Sequence, residues 1–92
     1  MLSIYFWDLS RPDGEPVAPH DELPPCPSIS RGSLLVLHGR APIWRYAMAL
    51  HFAHGCPAGA VATFDPRLGC VVVMTHSRDW TVGEVLEIEI PE

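Results

Sequence analysis

The sequence predicts a single α+β domain over residues 1–92, with one sheet of about five to six strands and one main helix packed on it. Three observations predict this class: strand-like alternation at both ends of the chain, one helical pattern in the middle, and two β-rich runs around a short turn. With 48% hydrophobic residues, a chain of this length can bury one core. The turn composition indicates that the sheet is built mainly from antiparallel hairpins.

The first strand is predicted over residues 3–9, where Ile4 and Phe6 alternate with two aromatic residues. A turn and a proline-rich segment over 16–27 follow, with room for at most one short helical turn over 20–23. We interpret the proline-rich segment as a rigid surface connection. A binding motif of the polyproline type is the alternative.

The second strand is predicted over residues 32–37, because its continuous apolar run is typical of a strand buried on both faces. Pro42 then opens a helix that runs to His54, and Gly55 ends it. The predicted stripe of this helix consists of Ile43, Ala47, Leu50 and His54, flanked by Tyr46 and Ala53.

Two β-rich runs over 58–64 and 70–75 flank the sequence Asp65-Pro66-Arg67-Leu68-Gly69. This segment begins with Asp-Pro and ends with Gly, which suits a type I turn closed by a left-handed residue. It therefore predicts a hairpin. The last strand is predicted over 84–90, because apolar residues alternate there with glutamates. We expect it to be half-exposed and near an edge of the sheet.

The formal net charge of −5 argues against a generic nucleic-acid binder, and we expect no DNA partner. All six basic residues are arginines, which suits bidentate phosphate binding at selected points. Genomic base composition is the alternative explanation. The three cysteines lack metal-site spacing, and the sequence contains neither a signal peptide nor a membrane-spanning run. These features predict a soluble cytoplasmic protein with no membrane partner.

Three histidines are candidates for chemistry. His51 and His54 are three residues apart, so they lie on one helix face and offer a general base or metal ligands. An incidental pair is the alternative. His76 follows the second hairpin strand, and simple alternation places it on the same side as Val72 and Met74, where that face leaves the core.

Asp65 and Arg67 lie in the predicted hairpin turn. Asp65 caps the turn in the structural interpretation, and Arg67 is then a solvated charge. In the functional interpretation they supply acid–base chemistry and stabilise a phosphate. Gly39 and Arg40 lead into the helix N-terminus, where free amides favour a phosphate. Spacing alone leaves open which of these ends meet within one chain, and a second subunit can bring distant ends together.

Several segments in this order resemble the small CRISPR-associated ring nuclease family. This family cleaves cyclic tetra-adenylate, the second messenger of type III CRISPR systems, and is distantly related to Rossmann-like sensor domains. The resemblance spans roughly residues 31–90. It is carried by Gly39-Arg40-Ala41-Pro42-Ile43-Trp44, His51-x-x-His54, Asp65-Pro66-Arg67-Leu68-Gly69, Val71-Val72-Val73 and Thr75-His76-Ser77.

The resemblance implies a manganese-dependent phosphodiesterase that works as a homodimer, with two dimers able to sandwich one ring between a binding and a cutting surface. It implies catalytic roles for His54, Asp65 and Arg67. The metal ligands it implies for Mn²⁺ are His51, Asp65 and His76, and the ring-binding residues are Gly39, Arg40, Ala41 and Pro42.

The sequence departs from the family pattern after the helix. The link over residues 55–59 is longer, and Gly55 stands where the family has a second histidine. This departure keeps open a sensor or sponge that binds cyclic oligoadenylate without cutting it. A manganese-dependent 3′ exoribonuclease that trims adenosines from RNA ends, a deadenylase, is a further alternative.

Overall fold

The computed structural model describes residues 3–91, which form one five-stranded sheet and one helix. The strands are hydrogen-bonded in chain order, β1-β2-β3-β4-β5. This confirms the α+β class with one main helix. The elements are β1 (Ile4–Asp8), β2 (Leu34–His38), α1 (Ile43–Ala53), β3 (Ala60–Asp65), β4 (Gly69–Thr75) and β5 (Val85–Leu86).

The sheet has a parallel half and an antiparallel half. β2 pairs in parallel with both β1 and β3, while β4 pairs antiparallel with β3 and β5. The antiparallel half contains the predicted hairpin. The parallel half arises because the connections over 9–33 and 39–59 are long enough to return the chain in the same direction. All five residues of β2 are buried, as the continuous apolar run predicted.

The fully buried residues of helix α1 are Arg45, Ala49 and Ala53. The predicted stripe is therefore wrong at three of its four positions, and only Leu50 packs against the core. Ile43, the first residue of that stripe, is 86% exposed. The buried positions are spaced by four residues, and the two alanines let the helix lie close to the sheet. The buried face also contains an arginine, which a search for apolar stripes misses.

The proline-rich segment over 16–27, hereafter the strap, crosses the sheet on the same face as α1. It contains no helical turn, and the amide of Asp21 donates to the carbonyl of Ala18 at 3.0 Å in a simple turn. The indole of Trp7 donates to the carbonyl of Pro24 at 3.1 Å. The strap is therefore fixed to β1, as expected for a rigid connection.

Arg45 connects the helix to this strap. Its side chain is 2% exposed and donates to the carbonyls of Leu9 at 2.7 Å, Asp21 at 3.4 Å and Glu22 at 3.2 Å. A buried guanidinium requires such partners, because an unpaired buried charge is very costly. One residue thus joins the start of α1, the end of β1 and the strap.

The opposite face of the sheet is covered by the C-terminal part of the chain, including Trp80. Here β5 is only two residues long, so the predicted strand over 84–90 is wrong in its length. Ile88 and Ile90 nevertheless pack against this second core, while Glu87 and Glu89, which alternate with them, stay exposed. The alternation in the sequence correctly predicted which side chains are buried. The hydrogen-bonded strand, however, ends at Leu86, before the end of the predicted strand.

Within residues 3–91, no helix combines the length and apolar character needed to cross a membrane.

Candidate functional site

Three parallel strands end at one edge of the sheet, hereafter the carboxyl edge, and each ends in a polar residue. Asp8 ends β1, His38 ends β2 directly beside Asp8, and Asp65 ends β3. Ligands of open α/β sheets commonly bind outside the carboxyl ends of parallel strands. The topology therefore gathers polar side chains where such a ligand would lie.

The Gly39-Arg40 motif leaves β2 at this edge through a tightly fixed turn. Gly39 has a φ of 108°, and a Cβ at this position would overlap the carboxylate of Asp8. Both constraints require glycine. The hydroxyl of Tyr46 donates to the carbonyl of Gly39 at 2.5 Å, which ties this turn to α1. Arg40 follows on the exposed side of the turn.

The N-terminus of α1 lies directly after this turn. Pro42 is the N-cap residue, no side chain caps the helix, and its first turn contains no acidic residue. The amide of Arg45 donates to the carbonyl of Pro42 at 3.0 Å, which leaves the amides of Ile43 and Trp44 without a partner within the helix. Phosphate binding at this end stays a prediction.

An open groove of about 860 Å³ runs from this turn to the β3–β4 hairpin. It brings Gly39, Arg40 and Ala41 of the implied ring-binding set together with Asp65, while Pro42 lines the neighbouring depression. The groove is polar at the carboxyl edge and apolar beyond it. Its apolar lining includes Ile43, Tyr46, Leu50, Phe64, Val73 and Ile90.

Asp65 caps the hairpin turn, which confirms the structural interpretation of this residue. Its Oδ1 accepts the amide of Arg67 at 2.8 Å and the amide of Leu68 at 3.3 Å. The Arg67 amide, with smaller help from its guanidinium, keeps the pKa of Asp65 below the ordinary aspartate value. Gly69 closes the turn with a φ of 112°, as predicted. The guanidinium of Arg67 is 86% exposed, with its Nε 3.6 Å from Asp65 Oδ1.

Three histidines lie at the other end of the sheet, and we call them the histidine cluster: His51, His54 and His76. His51 and His54 are exposed in the last turn of α1 and at its C-cap, and both line a depression of about 340 Å³. The rings of His54 and His76 are 5.1 Å apart. His54 Nδ1 lies 3.1 Å from the sulfur of Met74.

A β-bulge brings His76 to this cluster. Val61 pairs with Met74 and Ala62 pairs with Val72, so Val73 is an extra residue in β4. As a result Val72 packs in the second core, whereas Met74 packs on the helix side. The prediction that Val72 and Met74 share a side is therefore wrong, because a bulge shifts the alternation by one residue.

The implied catalytic residues fall into two groups within one chain. Asp65 pairs with Gly69 at one end of the β3–β4 hairpin, and Ala60 pairs with Thr75 at the other. The five residue steps from Ala60 to Asp65 separate these ends by about 17 Å. Asp65 and Arg67 thus lie together, His54 and His76 lie together, and the structure does not join the two groups in one chain.

The same separation applies to the implied metal ligands His51, Asp65 and His76. In the part of the chain that the structure describes, no three His, Cys, Asp or Glu side chains are grouped so that they could hold a metal ion. The two histidines lie in the histidine cluster, and Asp65 lies at the opposite end of the hairpin. The residues of a single chain therefore do not fit the implied manganese site.

Comparison with known proteins identifies the family. The model of the CRISPR-associated protein family Cas_csx3 matches residues 12–87. The chain belongs to this family. It is also similar to an uncharacterized protein of Aquifex aeolicus (strain VF5), with 47% identity over 58 residues. That alignment covers 62% of this chain and 50% of the relative, so the chain spans about half the length of the curated relative it matches.

The segment matched to Cas_csx3 contains the histidine cluster and every groove residue except Ile90. It also contains a groove residue that was not predicted from the sequence. His38 lines the groove at the end of β2. Its position directly before the Gly39-Arg40 motif was the available signal. Asp8, beside His38, was missed as well, because only the parallel pairing of β1 with β2 brings it to this edge.

Proposed function

We propose that this protein cleaves cyclic tetra-adenylate to linear oligoadenylates and thereby switches off type III CRISPR antiviral signalling. The observation that carries the proposal is the groove at the carboxyl edge, where Arg40, Asp65 and the uncapped start of α1 meet. Membership of a CRISPR-associated family supports it. A cytoplasmic location accords with this role and is part of the proposal.

The groove suits a ligand that carries both phosphates and adenine bases. Phosphate oxygens would accept hydrogen bonds from the α1 amides and from Arg40, whose planar fork matches their geometry. Adenine rings would cover the apolar lining beyond the carboxyl edge, including Tyr46 and Phe64. The parallel β2–α1–β3 unit is compatible with a distant relation to Rossmann-like sensor domains, which stays a prediction.

The proposed chemistry uses the nucleophile of the ring itself. A ribose 2′-oxygen attacks the adjacent phosphorus, the bond to the 5′-oxygen breaks, and the ring opens with a 2′,3′-cyclic phosphate and a 5′-hydroxyl. Holding these atoms in line lowers the barrier by orientation. His54 would take or supply the proton, while Arg67 would stabilise charge on the phosphate oxygens. Asp65 would hold the turn that presents Arg67.

Because His54 and Arg67 belong to separate groups within one chain, we propose that two chains form each reaction site. A homodimer, or two dimers that sandwich one ring, would place the histidine cluster of one chain over the turn of another. The same arrangement would complete the proposed manganese site, with His51 and His76 from one chain and Asp65 from the other. Histidine and carboxylate ligands suit manganese without being exclusive to it.

A second candidate is a sensor or sponge that binds the ring without cutting it. The separation of the histidine cluster from Asp65 and Arg67 favours this candidate if two chains do not join them. The groove alone would then carry the function.

The test is chromatography of cyclic tetra-adenylate after incubation with wild type, Asp65→Ala and His54→Ala, with manganese or with a chelator. We expect linear products from wild type and strongly reduced turnover in both variants. Tight binding of an uncleaved ring would establish the sponge instead. An adenosine-tailed RNA assayed in parallel tests the deadenylase alternative, because faster trimming of that tail would reverse the ranking. Full activity in Asp65→Ala would show that the site is misplaced.

A further inference from the structure

His38 is a buried histidine that the proposed reaction does not use. It is 8% exposed and lines the groove together with Arg40 and Asp65. The ring of Phe6 contacts its ring edge-on at a centroid distance of 6.0 Å. Asp8 lies directly beside it in the register of β1 and β2. The side chain is therefore held between packed neighbours at the carboxyl edge.

The ring nitrogens of His38 are open to a ligand. Across residues 3–91, no hydrogen bond joins its imidazole to another side chain or to the backbone. In the same range, every fully buried side-chain nitrogen or oxygen has a hydrogen-bond partner. The nitrogens of His38 must then reach solvent-accessible space, and the groove is the space that this residue lines.

His38 has one carboxylate beside it, that of Asp8, and positive groups elsewhere in the groove. Burial would raise the pKa of the Asp8 carboxyl, but hydrogen bonds from Ser10 and the nearby charge of His38 outweigh it and lower that pKa. Arg40 and the start of α1 add positive potential in the same groove.

We propose that His38 is a binding residue that donates a hydrogen bond from its ring to a phosphate oxygen of the oligoadenylate in the groove. This inference rests on the proposed function and adds a residue to it. Arg40 approaches from the exposed rim, whereas His38 lies on the buried wall of the groove. A ligand phosphate between them would be contacted from two directions, which fixes its position as well as its charge.

The direct test is NMR of ¹⁵N-labelled histidine side chains in the full chain without added metal. Cyclic tetra-adenylate and adenosine 5′-monophosphate are titrated separately. We expect the ring nitrogens of His38 to shift on addition of the ring, while His20, an exposed histidine of the strap, does not shift. A His38 signal that stays unchanged while the ring binds would overturn the inference.

Substitution gives a second, independent measurement. We expect His38→Phe to weaken ring binding by about ten- to a hundredfold, the usual effect of losing a charge-assisted hydrogen bond. His38→Asn and His38→Gln each retain one donor, and whichever restores binding identifies the nitrogen that contacts the phosphate. His20→Phe is the matched control and should bind like wild type. Unchanged affinity in a folded His38→Phe would contradict the inference, and if this variant does not fold, the NMR measurement on wild type decides.

The outcomes separate this inference from the proposed function. If wild type cleaves the ring while the NMR signal of His38 does not shift, only the proposed role of His38 fails. If wild type neither binds nor cleaves the ring but adenosine 5′-monophosphate shifts His38, the proposed function fails and a phosphate contact at His38 stands. If wild type neither binds nor cleaves the ring and neither ligand moves the His38 signal, both fail.

Discussion

The imidazole rings of His54 and His76 lie 5.1 Å apart, with their planes tilted by 49°. One histidine ends a helix and the other follows a strand, and the bulge at Val73 turns the second toward the first. Asp65, at the far end of the same hairpin, faces the groove. The fold thus places the histidine cluster and the groove on separate surfaces of one chain.

This separation predicts that two variants, each inactive alone, recover cleavage activity when they are mixed. In an equal mixture of Asp65→Ala and His54→Ala, we expect about a quarter of the wild-type cleavage rate, because one pairing in four combines an intact turn with an intact histidine cluster. The measurement is the rate of ring cleavage by the mixture against each variant alone. A mixture of Asp65→Ala with Arg67→Ala is the control and should stay inactive, since both changes lie in one group. No recovery in the first mixture would place the site within a single chain.

We predict that Asp65→Asn keeps the capping role of Asp65 and loses its proposed catalytic role. Asparagine keeps an oxygen that accepts the turn amides, but it lacks the negative charge. Since hydrogen bonds from the turn lower the folded pKa of Asp65, its stabilisation is present above the unfolded pKa of about 3.9 and is lost as the pH falls through the folded value. We expect the thermal unfolding temperature of wild type to drop more steeply with acid than that of Asp65→Asn. Parallel curves would contradict the pKa direction.

Arg45 is predicted to contribute more to stability than any exposed arginine. Arg45→Met keeps much of the side-chain volume but leaves three carbonyls without their donor, and we expect a loss of about 3 kcal/mol in the free energy of unfolding. Urea denaturation measures it. Arg78→Met, on an exposed arginine, should change stability by less than about 0.5 kcal/mol. Equal effects in the two variants would show that the carbonyl contacts of Arg45 contribute little.

The cysteines are predicted to react with alkylating reagents in a defined order. Burial, with added effects of the adjacent Cys56 thiol, raises the pKa of Cys26 to about 11, and burial also raises the pKa of Cys70. Since the thiolate is the reactive form, iodoacetamide at pH 8 should modify Cys56 before the other two. Mass spectrometry over time gives the order, and the rate at Cys26 should rise as the pH approaches 11. In Cys56→Ser, Cys26 should react faster. Early labelling of Cys26 in wild type would contradict this prediction.

Much of the fold follows from local patterns in the sequence. The buried strand β2 was predictable because an unbroken apolar run needs cover on both faces, and the hairpin was predictable because Asp65 and Gly69 suit one turn type. The helix bounds differ from the prediction by one residue at the C-terminus. Its buried face was mispredicted, since the burial of Arg45 depends on carbonyls contributed by distant segments.

The sequence by itself determined which residue types stand at the turn, at the helix start and in the histidine cluster, because these depend on short-range spacing. Only the tertiary structure decided which of them meet. The parallel pairing of β1, β2 and β3 gathers Asp8, His38 and Asp65 at one edge, and no local pattern encodes a pairing between distant strands. The single extra residue at Val73 sends His76 to the helix side, since one residue of bulge reverses every later side chain in a strand.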